Sequence, residues 1–471
     1  MSGRSFTAED PPRATAEDLT DFAAGLEPWA IDPTVPALLV VAPHPDDEVL
    51  GAGALIAAAV RARVPVLVLA VTDGTGSHPH IDPDRLGWIR AAESERALAE
   101  LAALTPKARC DEPTAAVPPP RIVRLGLPDG HVAAHEDALT EHIVDQLSQL
   151  PPGAVVAAPV RDDGHPDHDA AGRAALQSIG RVPTASLVEY PVWLWHHCRP
   201  GEPHRQIDWQ RARVVDADPA AVEARARAVE SFRSQISLDL GVPADRTGGD
   251  PATLVVVPEA ARSLMLAPRQ IVFVHAGGFE TVYAVSDDPW SVTDRWYEER
   301  KYALTMAILP GRRFRRGYEP GCSVGVLTQM LAQRCDVLIA TDVVPAAVAA
   351  ARGRVPDPHV ELRCAGAENW PEGDVDLVVL SELGYYLTDT QFDRFLARAA
   401  RQLTDDGVVV AAHWRHPIPG AYRDAQAVHA ALASQPGWVR LASYSDDDVL
   451  IETFGPDRPS VAASEFAITP R

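Results

Sequence analysis

The sequence predicts an α/β protein of two tandem domains, each with a mostly parallel sheet flanked by helices. Three observations support this prediction. The chain has 471 residues, enough for two or three domains of ordinary size. Hydrophobic residues make up 46% of it, so large buried cores can form. The order strand, turn, helix, strand occurs near the start and again beyond residue 287, and this alternation is typical of parallel sheets.

Short apolar runs bounded by turn residues mark the strands of the first domain. The run ALLVV at 37–41 is followed by a helical stretch over 50–64, which Pro65 ends, and by a second apolar run at 66–71. Residues 1–35 are polar and rich in Pro and Ala, so we expect a loosely ordered arm. We also predict strands over 122–125, 154–158 and 187–194, a surface loop over 241–258 and a closing hairpin over 270–285.

The alternation restarts after the turn SDDP at 286–289, so we place a domain boundary near residue 287. The predicted elements beyond it are helices over 300–309 and 326–332 and strands over 337–341, 376–380 and 407–411. The predicted division is therefore a polar arm over 1–35, one α/β domain over 36–286 and another over 287–471.

Composition excludes several classes of protein. The chain has 43 basic and 65 acidic residues, and its formal net charge of −22 argues against nucleic acid or an anionic membrane as a partner. No apolar stretch approaches the roughly 18 residues of a membrane span, and the acidic start does not resemble a secretory signal. The 5 cysteines form no CxxC pair, which argues against a disulfide framework. We expect a soluble cytoplasmic protein whose oligomeric state the sequence leaves open.

Two clusters of histidine and aspartate follow predicted strands of the first domain. HPDDE occupies 44–48, after the first strand, and DDGHPDH occupies 162–168, after the strand at 154–158. The carboxyl ends of parallel strands meet at one edge of a sheet, so the two clusters can converge. Two imidazoles and one carboxylate form the ligand set of a catalytic zinc, and another carboxylate can take the proton of the attacking water. One such segment is more often a solvated loop or a helix cap, whereas two at strand ends favour a metal site.

HPDDE after a first strand, with HPDH later, resembles the PIG-L/LmbE-like family of zinc-dependent N-deacetylases. The likeness covers about residues 36–285. Lesser features follow in the family order, namely VTDG at 71–74, RAAE at 90–93, LGLPDG at 125–130, YPVWLW at 190–195 and SQ at 234–235.

The resemblance implies a role for each histidine and aspartate. His44, Asp47 and His168 would bind zinc, and Asp46 would be the general base that activates water. His165 would stabilise the oxyanion or protonate the leaving amine. Zinc is preferred by family habit alone, because a set of two histidines and one aspartate also suits other divalent metals such as iron or cobalt.

The resemblance also implies that Arg90 and Asp129 contact a sugar-like part of the substrate. An ion pair between Arg90 and Glu93 on a solvated helix face is an almost equal alternative. We interpret Asp162 and Asp163 as loop residues. The implied substrate is an N-acylated amine or amino sugar.

A turn of small residues, EPGCSVG at 319–325, lies between a predicted strand and a helix of the second domain. Small residues allow a ligand to approach the backbone, and a helix N-terminus favours an anionic group. Asp342 ends the next strand, where an acidic residue typically receives ribose hydroxyls. The pair therefore fits a dinucleotide or S-adenosylmethionine.

The order of motifs decides between these cofactors. EPGCSVG, IATD at 339–342, GAENWP at 366–371 and the strand at 376–380 together resemble a class I methyltransferase that uses S-adenosylmethionine. WYEERKY at 296–302 and SELGYY at 381–386 are similar to the nodulation-type (NodS-like) N-methyltransferases, which methylate an amine on a deacetylated amino sugar. This likeness covers about 289–471, and both resemblances imply Rossmann-like folds.

By this second resemblance, Glu319, Gly321, Ser323 and Gly325 frame the methionine part of the cofactor and Asp342 its ribose. Ser323 replaces the middle glycine of the usual turn and is tolerated if its φ is negative. The resemblance adds Ala367, Glu368 and Ser381 to the cofactor site, and Tyr297, Arg300, Tyr302, Glu382, Tyr385 and His413 to an amine pocket. For the pocket residues, aromatic packing or a surface ion pair is an equal alternative.

Together the two halves predict a bifunctional enzyme that removes an acyl group from an amine and then methylates that amine. Three alternatives stay open: transfer of the methyl to an oxygen, a second domain that only binds, and a metal-free scaffold. Lys107 and Lys301 are the only lysines, and this composition is typical of high-GC bacteria, which favours a role in secondary metabolism such as antibiotic biosynthesis.

Overall fold

The computed structural model describes residues 12–78, 81–104, 118–204, 206–236, 269–275 and 277–466. The chain divides into two compact units, Met1–Gly278 and Phe279–Arg471. Each unit contains one sheet flanked by helices, so the predicted α/β class is confirmed. The loop predicted over 241–258 lies outside the described residues. Among the described helices, none has both the length and the apolar character needed to cross a bilayer.

The sheet of the first unit has the strand order β1-β7-β8-β6-β5-β2-β3-β4. Strands β2 to β6 pair in parallel, and β8 is antiparallel to both of its neighbours. The strands are β1 (Pro28–Trp29), β2 (Leu38–Ala42), β3 (Val66–Thr72), β4 (Arg121–Leu127), β5 (Val155–Pro159), β6 (Ser186–Tyr190), β7 (Ala212–Val215) and β8 (Ile271–Val274). The helices are α1 (Ala16–Ala24), α2 (Asp47–Leu50), α3 (Gly53–Arg61), α4 (Pro83–Ala102), α5 (Glu136–Gln149), α6 (Pro166–Arg181), α7 (Leu194–His197), α8 (Pro219–Val229) and α9 (Arg233–Ile236).

The order of these strands positions the two histidine clusters. The chain runs from β2 outward through β3 and β4, and later outward in the other direction from β5 to β6. The direction therefore reverses between β2 and β5, which are neighbours in the sheet. Open parallel sheets bind ligands in the crevice at such a reversal. HPDDE follows β2 and DDGHPDH follows β5, so both clusters lie at this crevice.

Burial explains why β2 and β5 are continuous apolar runs. All five residues of each strand are buried, because helices cover both faces of the sheet. One face packs against α3 and α8, where alanines such as Ala57 and Ala224 are fully buried. The other face packs against α5 and α6, with Leu139 and Ala171 in its core.

The sheet of the second unit has the order β11-β10-β9-β12-β13-β15-β14, and β15 runs opposite to the other six strands. Successive strands are added outward from β9 to β11 on one side and from β12 to β13 on the other, so the strand order reverses between the neighbours β9 and β12. The strands are β9 (Phe314–Pro320), β10 (Cys335–Asp342), β11 (Val360–Cys364), β12 (Val375–Ser381), β13 (Leu403–Trp414), β14 (Trp438–Ser445) and β15 (Val449–Pro456). The helices are α10 (Gly278–Val285), α11 (Trp296–Ala307), α12 (Val326–Ala332), α13 (Pro345–Arg354), α14 (Asp389–Gln402), α15 (Ala425–Ala433) and α16 (Val461–Phe466).

Two predictions about chain segments are wrong. The expected loose arm is ordered over 12–35: α1 begins with a capping box between Thr15 and Asp18, and β1 pairs with β7. The expected hairpin over 270–285 consists of β8 followed by α10, and β8 pairs with distant strands. The apolar residues Phe279, Val282 and Tyr283 are spaced at i, i+3 and i+4, which is the period of a helix.

Candidate functional site

Three ligand-type atoms converge where the first sheet reverses direction. His44 Nδ1 lies 3.2 Å from His168 Nε2 and 3.3 Å from Asp47 Oδ2, and the last two atoms are 3.1 Å apart. Ligands of a tetrahedral ion with bonds of about 2.0–2.1 Å are separated by about 3.3–3.4 Å. The three atoms therefore have the spacing of one face of a metal tetrahedron. The structure brings together all three predicted metal ligands.

Carboxylates behind the two imidazoles orient them for binding a cation. His168 Nδ1 lies 2.7 Å from Asp163 Oδ2, and His44 Nε2 lies 3.2 Å from both Asp129 Oδ1 and Asp167 Oδ2. When an imidazole donates the N–H of one ring nitrogen to a carboxylate, the lone pair of the other ring nitrogen points away from that carboxylate. When both rings are neutral, their lone pairs face the centre of the triangle at 3.2 Å, where a cation can bind both.

Protons compete with a metal for this position. Burial by itself lowers the pKa of His168, but the carboxylates of Asp47 and Asp163 raise it to about 9. The pKa of Asp47 is lowered, because the two histidines outweigh the effect of its burial. A metal must displace the imidazole protons, so metal affinity increases as pH rises toward 9.

Asp163 is a functional residue that sequence reasoning missed. It lies in the loop between β5 and α6, as expected, but its side chain is fully buried rather than solvated. Its Oδ1 accepts the backbone N–H groups of Val192 and Leu194, and its Oδ2 accepts that of Trp193 in addition to His168 Nδ1. A histidine that binds a metal needs a hydrogen-bond acceptor for its second nitrogen. This requirement alone does not distinguish Asp163 from Asp162, its exposed neighbour in the sequence.

Asp167 and Asp129 hold the loop after β4 at the same place. Asp167, which we had not singled out, is fully buried and accepts the backbone N–H groups of Gly130 at 2.7 Å and Val132 at 3.0 Å. Asp129 Oδ2 accepts the N–H of Gly76 at 2.7 Å. The contact of Asp129 with His44 and this hydrogen bond together lower the pKa of Asp129 to about 2. Contact of Asp129 with a substrate stays a prediction.

Asp46 has the properties of a general base. Its φ is +135°, a conformation that residues with side chains rarely adopt and that occurs mainly at functional sites. Its backbone N–H donates to Glu48 Oε2 at 2.9 Å, which stabilises the strained turn. Burial raises the pKa of Asp46 to about 7, and the nearby carboxylates of Asp47 and Glu48 add to the effect. A carboxyl group of that acidity can take and release protons near neutral pH.

His165 lies beside His44 and His168, and its neutral ring can donate a hydrogen bond. Its ring centroid is 4.7 Å from that of His44 and 5.0 Å from that of His168. Burial and the charges of these two histidines lower the pKa of His165 to about 4. Its Nδ1 accepts the backbone N–H of Asp167 at 3.2 Å, so the neutral ring carries its proton on Nε2.

Arg90 is buried beneath the loops of the site. Its guanidinium donates to the backbone carbonyls of Gly74 at 2.8 Å and Pro45 at 2.7 Å. The alternative of a solvated ion pair with Glu93 is wrong, because Glu93 is buried and accepts both the N–H and the hydroxyl of Ser234. Contact of Arg90 with a substrate stays a prediction.

The small-residue turn of the second unit follows β9. Gly321, Ser323 and Gly325 all have positive φ, at +73°, +49° and +83°. Ser323 therefore does not meet the condition of a negative φ. Two contacts offset the roughly 1 kcal/mol that a left-handed conformation costs a side chain. The hydroxyl of Ser323 shares a hydrogen bond of 2.7 Å with that of Tyr283, and its N–H donates to Asp342 at 2.9 Å.

Two acidic residues near this turn, Glu319 and Glu368, each have one buried carboxyl oxygen without a hydrogen-bond partner. Burial raises the pKa of Glu319 to about 8. Among the described residues, Glu319 Oε2 and Glu368 Oε2 have no hydrogen-bond partner. Such an oxygen is open to a donor from a ligand or from an ordered water. Ala367 is buried beside Glu368, and Ser381 ends β12, the neighbour of β9.

Glu382 gathers four donors directly after β12. Its Oε1 accepts from Lys301 Nζ at 3.0 Å and from the Tyr297 hydroxyl at 3.3 Å. Its Oε2 accepts from the Tyr385 hydroxyl and from the backbone N–H of Trp414. The structure therefore brings together three residues predicted for the amine pocket: Tyr297, Glu382 and Tyr385.

Lys301 is the residue that sequence reasoning missed in this pocket. It is 2% exposed, and its ammonium lies 2.7 Å from Glu298 Oε2 as well as 3.0 Å from Glu382 Oε1. The predicted Tyr302 packs its ring 5.1 Å from the same ammonium. The scarcity of lysine was the sequence signal that could have identified it.

Two predicted pocket residues are directed elsewhere. Arg300 forms an ion pair of 2.7 Å with Asp446, which fits the alternative of a surface ion pair. His413 is fully buried, and both of its ring nitrogens are engaged. Its Nε2 accepts the backbone N–H of Gly384 at 3.1 Å, and its Nδ1 lies 3.0 Å from His429 Nε2.

Known families match both halves of the chain. The family model described as GlcNAc-PI de-N-acetylase (PIG-L) matches residues 39–179, and that of nodulation protein S (NodS) matches 281–433. One part of the chain is therefore similar to the PIG-L family and another to NodS, and the two resemblances are confirmed.

Individual relatives include nodulation proteins and solved methyltransferase structures. Nodulation protein S of Rhizobium tropici is 30% identical over 145 residues, which are 30% of this chain and 57% of that protein. The chain spans about half the length of the curated relatives it matches. The structure of the N-methyltransferase NodS from Bradyrhizobium japonicum WM9 with S-adenosyl-L-homocysteine is 26% identical, with a TM-score of 0.33 over 37% of this chain and 94% of that one. A candidate methyltransferase from Pseudomonas syringae is 42% identical, with a TM-score of 0.31 over 34% of this chain and 99% of that one.

Proposed function

We propose that the chain is a bifunctional enzyme. Its first domain hydrolyses an N-acyl amide with the help of a divalent metal, and its second domain transfers a methyl group from S-adenosylmethionine to the freed amine. The observation that carries the proposal is the triangle of His44, Asp47 and His168 beside the carboxyl group of Asp46, a residue with a strained backbone.

The donor set fits a divalent metal such as zinc. It offers two imidazole nitrogens and one carboxylate oxygen, and three protein ligands leave a position for water or substrate. Iron or cobalt would suit the same atoms. A metal held by His44, Asp47 and His168 would supply Lewis acidity to the acyl carbonyl and to the attacking water.

The side chains around this position divide the proton transfers between them. Asp46 takes a proton from water as the water oxygen bonds to the acyl carbon. The Nε2–H of His165 donates a hydrogen bond to the carbonyl oxygen as that oxygen gains charge. When the C–N bond breaks, Asp46 returns that proton to the leaving nitrogen. Arg90 holds the Pro45 carbonyl and so fixes the turn that carries Asp46.

The second domain has the features that a cationic, ribose-containing cofactor requires. Glu319 and Glu368 present unpartnered carboxyl oxygens near the turn, and Asp342 shapes the turn through Ser323. S-adenosylmethionine carries an ammonium, a sulfonium and ribose hydroxyls, which such groups can bind. Methyl transfer needs a neutral amine aligned with the methyl group, so the protein contributes mainly positioning. Glu382 would hold that amine and accept its proton.

Binding of S-adenosyl-L-homocysteine should release a proton that Glu319 holds in the free protein. Because burial raises the pKa of Glu319 to about 8, the group is protonated below that pH, whereas a ligand ammonium favours the carboxylate. The affinity should therefore rise with pH, by up to about tenfold per unit below 8, and level off above it. Titration calorimetry at pH 7 in buffers of different ionisation enthalpy measures the released proton. The Glu319→Gln variant should release none, and a wild-type affinity that falls with rising pH would contradict this assignment.

The substrate in this proposal is an N-acetylated amino sugar or a related amine. The support is the pairing of a PIG-L domain with a NodS-like domain on one chain. A cytoplasmic role in secondary metabolism, such as antibiotic biosynthesis, belongs to the same proposal and rests on composition.

Incubation of the full chain with zinc, S-adenosylmethionine and a panel of N-acetylated amino sugars tests the proposal. Mass spectrometry should show loss of acetyl followed by gain of methyl. The Asp46→Asn variant should lose the first step and keep methylation of an amine that is supplied already deacetylated. Methylation of a substrate that is still acetylated would overturn the proposed order.

A further inference from the structure

Three buried polar side chains of the second unit are joined by hydrogen bonds that the proposed mechanism does not use. Glu452 lies on β15, His429 on α15 and His413 on β13, and each is at most 4% exposed. We call these three residues the histidine network. Burying polar groups lowers stability unless each donor finds an acceptor. The order of donors and acceptors in the network therefore shows what it holds.

The histidine network connects β15 to the turn after β12. Glu452 Oε2 lies 2.9 Å from His429 Nδ1, and His429 Nε2 lies 3.0 Å from His413 Nδ1. At the far end, His413 Nε2 accepts the backbone N–H of Gly384 at 3.1 Å. At the near end, Glu452 Oε1 accepts from Arg440 at 2.8 Å. Burial by itself raises the pKa of Glu452, but the hydrogen bonds from His429 and Arg440 lower it, so the group is a carboxylate that only accepts.

The backbone N–H of Gly384 determines where both histidines carry their protons. A backbone N–H can only donate, so His413 Nε2 must present its lone pair. Burial lowers the pKa of His413 well below its usual value, so the ring is neutral and its one proton is on Nδ1. That proton needs an acceptor, so His429 Nε2 also presents a lone pair, and His429 Nδ1–H donates to Glu452. This one arrangement of protons satisfies every contact in the network.

The same arrangement excludes a path for protons. The network ends on a peptide N–H, which gives up no proton near neutral pH, so it cannot carry a proton away from a methyl acceptor. Its chemical role is therefore to hold Gly384 in a fixed position.

The turn that contains Gly384 is strained and tightly packed. Glu382 has a φ of +53°, a conformation that persists in a residue with a side chain only where neighbouring contacts fix it. A Cβ atom at Gly384 would lie 2.9 Å from His413 Nε2 and 2.7 Å from Val428 Cγ1, so this close approach requires glycine. The ring of His413 also packs edge-on against that of Tyr385, with centroids 5.3 Å apart. His413 thus lies directly against the turn.

Three consecutive residues of β13 hold this turn. The backbone N–H of Glu382 donates to the carbonyl of Ala412 at 2.8 Å, and Glu382 Oε2 accepts the backbone N–H of Trp414 at 3.1 Å. His413, between them, holds Gly384 through its side chain. The turn also carries Tyr385, whose hydroxyl donates to Glu382. A shift of Gly384 would therefore move the residues that line the acceptor pocket.

We propose that Glu452, His429 and His413 are positioning residues for methyl transfer, and that the fixed order of their protons holds the turn over 382–386 in its strained conformation. This inference rests on the proposed methyl transfer and adds to it three residues that do not touch the substrate. Without the network, the buried N–H of Gly384 loses its acceptor, and the turn relaxes toward a conformation that satisfies this group. The turn after β9 takes part in none of these contacts, so affinity for S-adenosyl-L-homocysteine should not change.

Two kinds of substitution separate hydrogen bonding from packing. Glutamine keeps the hydrogen-bonding order of either histidine without its ring, because its carbonyl oxygen can accept in place of Nε2 and its amide N–H can donate in place of Nδ1. Phenylalanine keeps the ring but has neither donor nor acceptor. The variants of the full chain are His413→Gln, His413→Phe, His429→Gln and His429→Phe.

Methyl transfer is measured with glucosamine, galactosamine and mannosamine as acceptors. Both phenylalanine variants should lose about tenfold or more in kcat, and both glutamine variants should stay within about threefold of the wild type. Calorimetry should give the wild-type Kd for S-adenosyl-L-homocysteine in all four. Arg440→Met leaves the carboxylate of Glu452 in place, so it is the matched control and should keep the wild-type kcat. Thermal melting establishes that each variant is folded.

The positions of the protons provide a readout that does not depend on activity. Long-range ¹H–¹⁵N correlation spectra distinguish a protonated from an unprotonated ring nitrogen. The expected result for the wild type is a proton on Nδ1 of both His413 and His429, each assigned by the loss of its signals in the glutamine variant. A proton on Nε2 of either ring would overturn the proposed order.

The kinetic outcomes distinguish this inference from the proposed function. Phenylalanine variants as active as the wild type, or folded glutamine variants that are as impaired as the phenylalanine variants, overturn the inference and leave the proposed methyl transfer standing. Weaker binding of S-adenosyl-L-homocysteine in folded phenylalanine variants shows a general structural role and overturns positioning. No transfer by the wild type to any of the three amino sugars overturns this inference together with the proposed methyl transfer.

Discussion

Replacing Asp46 with asparagine should lower the rate of amide hydrolysis by about 10²- to 10⁴-fold while the protein keeps its metal. Asparagine has nearly the same shape and, like aspartate, tolerates a positive φ, so the strained turn should persist. It cannot accept the proton of the attacking water. Single-turnover hydrolysis and elemental analysis of the same preparation measure the two effects separately.

The pH dependence of hydrolysis gives a second view of Asp46. The group acts as a base only when deprotonated, so activity should fall as pH drops through its pKa. Burial places that pKa at about 7 in the metal-free protein, and the positive charge of a bound metal moves it lower. The acidic limb should therefore lie at or below about pH 7 in the wild type and vanish in Asp46→Asn. Loss of metal from the variant would instead identify Asp46 as a ligand.

Replacing Asp163 with alanine should weaken both metal binding and folding. The affinity for the metal should fall by about 10- to 100-fold, because His168 loses the carboxylate that fixes its tautomer. The free energy of unfolding should fall by about 3 kcal/mol or more, because three buried backbone N–H groups and one imidazole N–H lose their acceptor. Competition with a zinc indicator measures the first effect, and urea denaturation measures the second.

The adjacent residue provides a matched control for that substitution. The side chain of Asp162 is 40% exposed and lies 3.6 Å from His204, so Asp162→Ala should change stability by less than about 1 kcal/mol and leave metal affinity unaltered. Equal effects of the two substitutions would show that Asp163 has no special role in orienting His168.

The sequence was sufficient to predict the central strands of both sheets and the loops that carry the sites, whereas β1, β7, β11, β14 and β15 were not predicted. Buried parallel strands are continuous apolar runs, and the residues that follow β2, β5, β9 and β12 meet wherever the strand order reverses. That rule places His44 beside His168 without any knowledge of side-chain packing. It does not say which acidic residue near His168 is buried, and residue type alone does not separate Asp163 from Asp162.

Other errors have the same physical origin. Lys301 stands in a segment of charged and aromatic residues that predicts a helix, but only packing of α11 shows that its ammonium is enclosed between Glu298 and Glu382. The left-handed φ of Ser323 depends on a hydroxyl partner, Tyr283, that is 40 residues away along the chain. Contacts between distant residues, rather than local preference, decide such cases.

The most direct test of the metal centre is an anomalous difference map from crystals of the zinc-loaded protein, recorded at the zinc absorption edge. The expected result within the first domain is one peak about 2.0–2.2 Å from His44 Nδ1, Asp47 Oδ2 and His168 Nε2. A second group, His44 with Asp129 and Asp167, also has ligand atoms within 4.8 Å of one another. A peak held by that group, or no peak beside His168, would contradict the account.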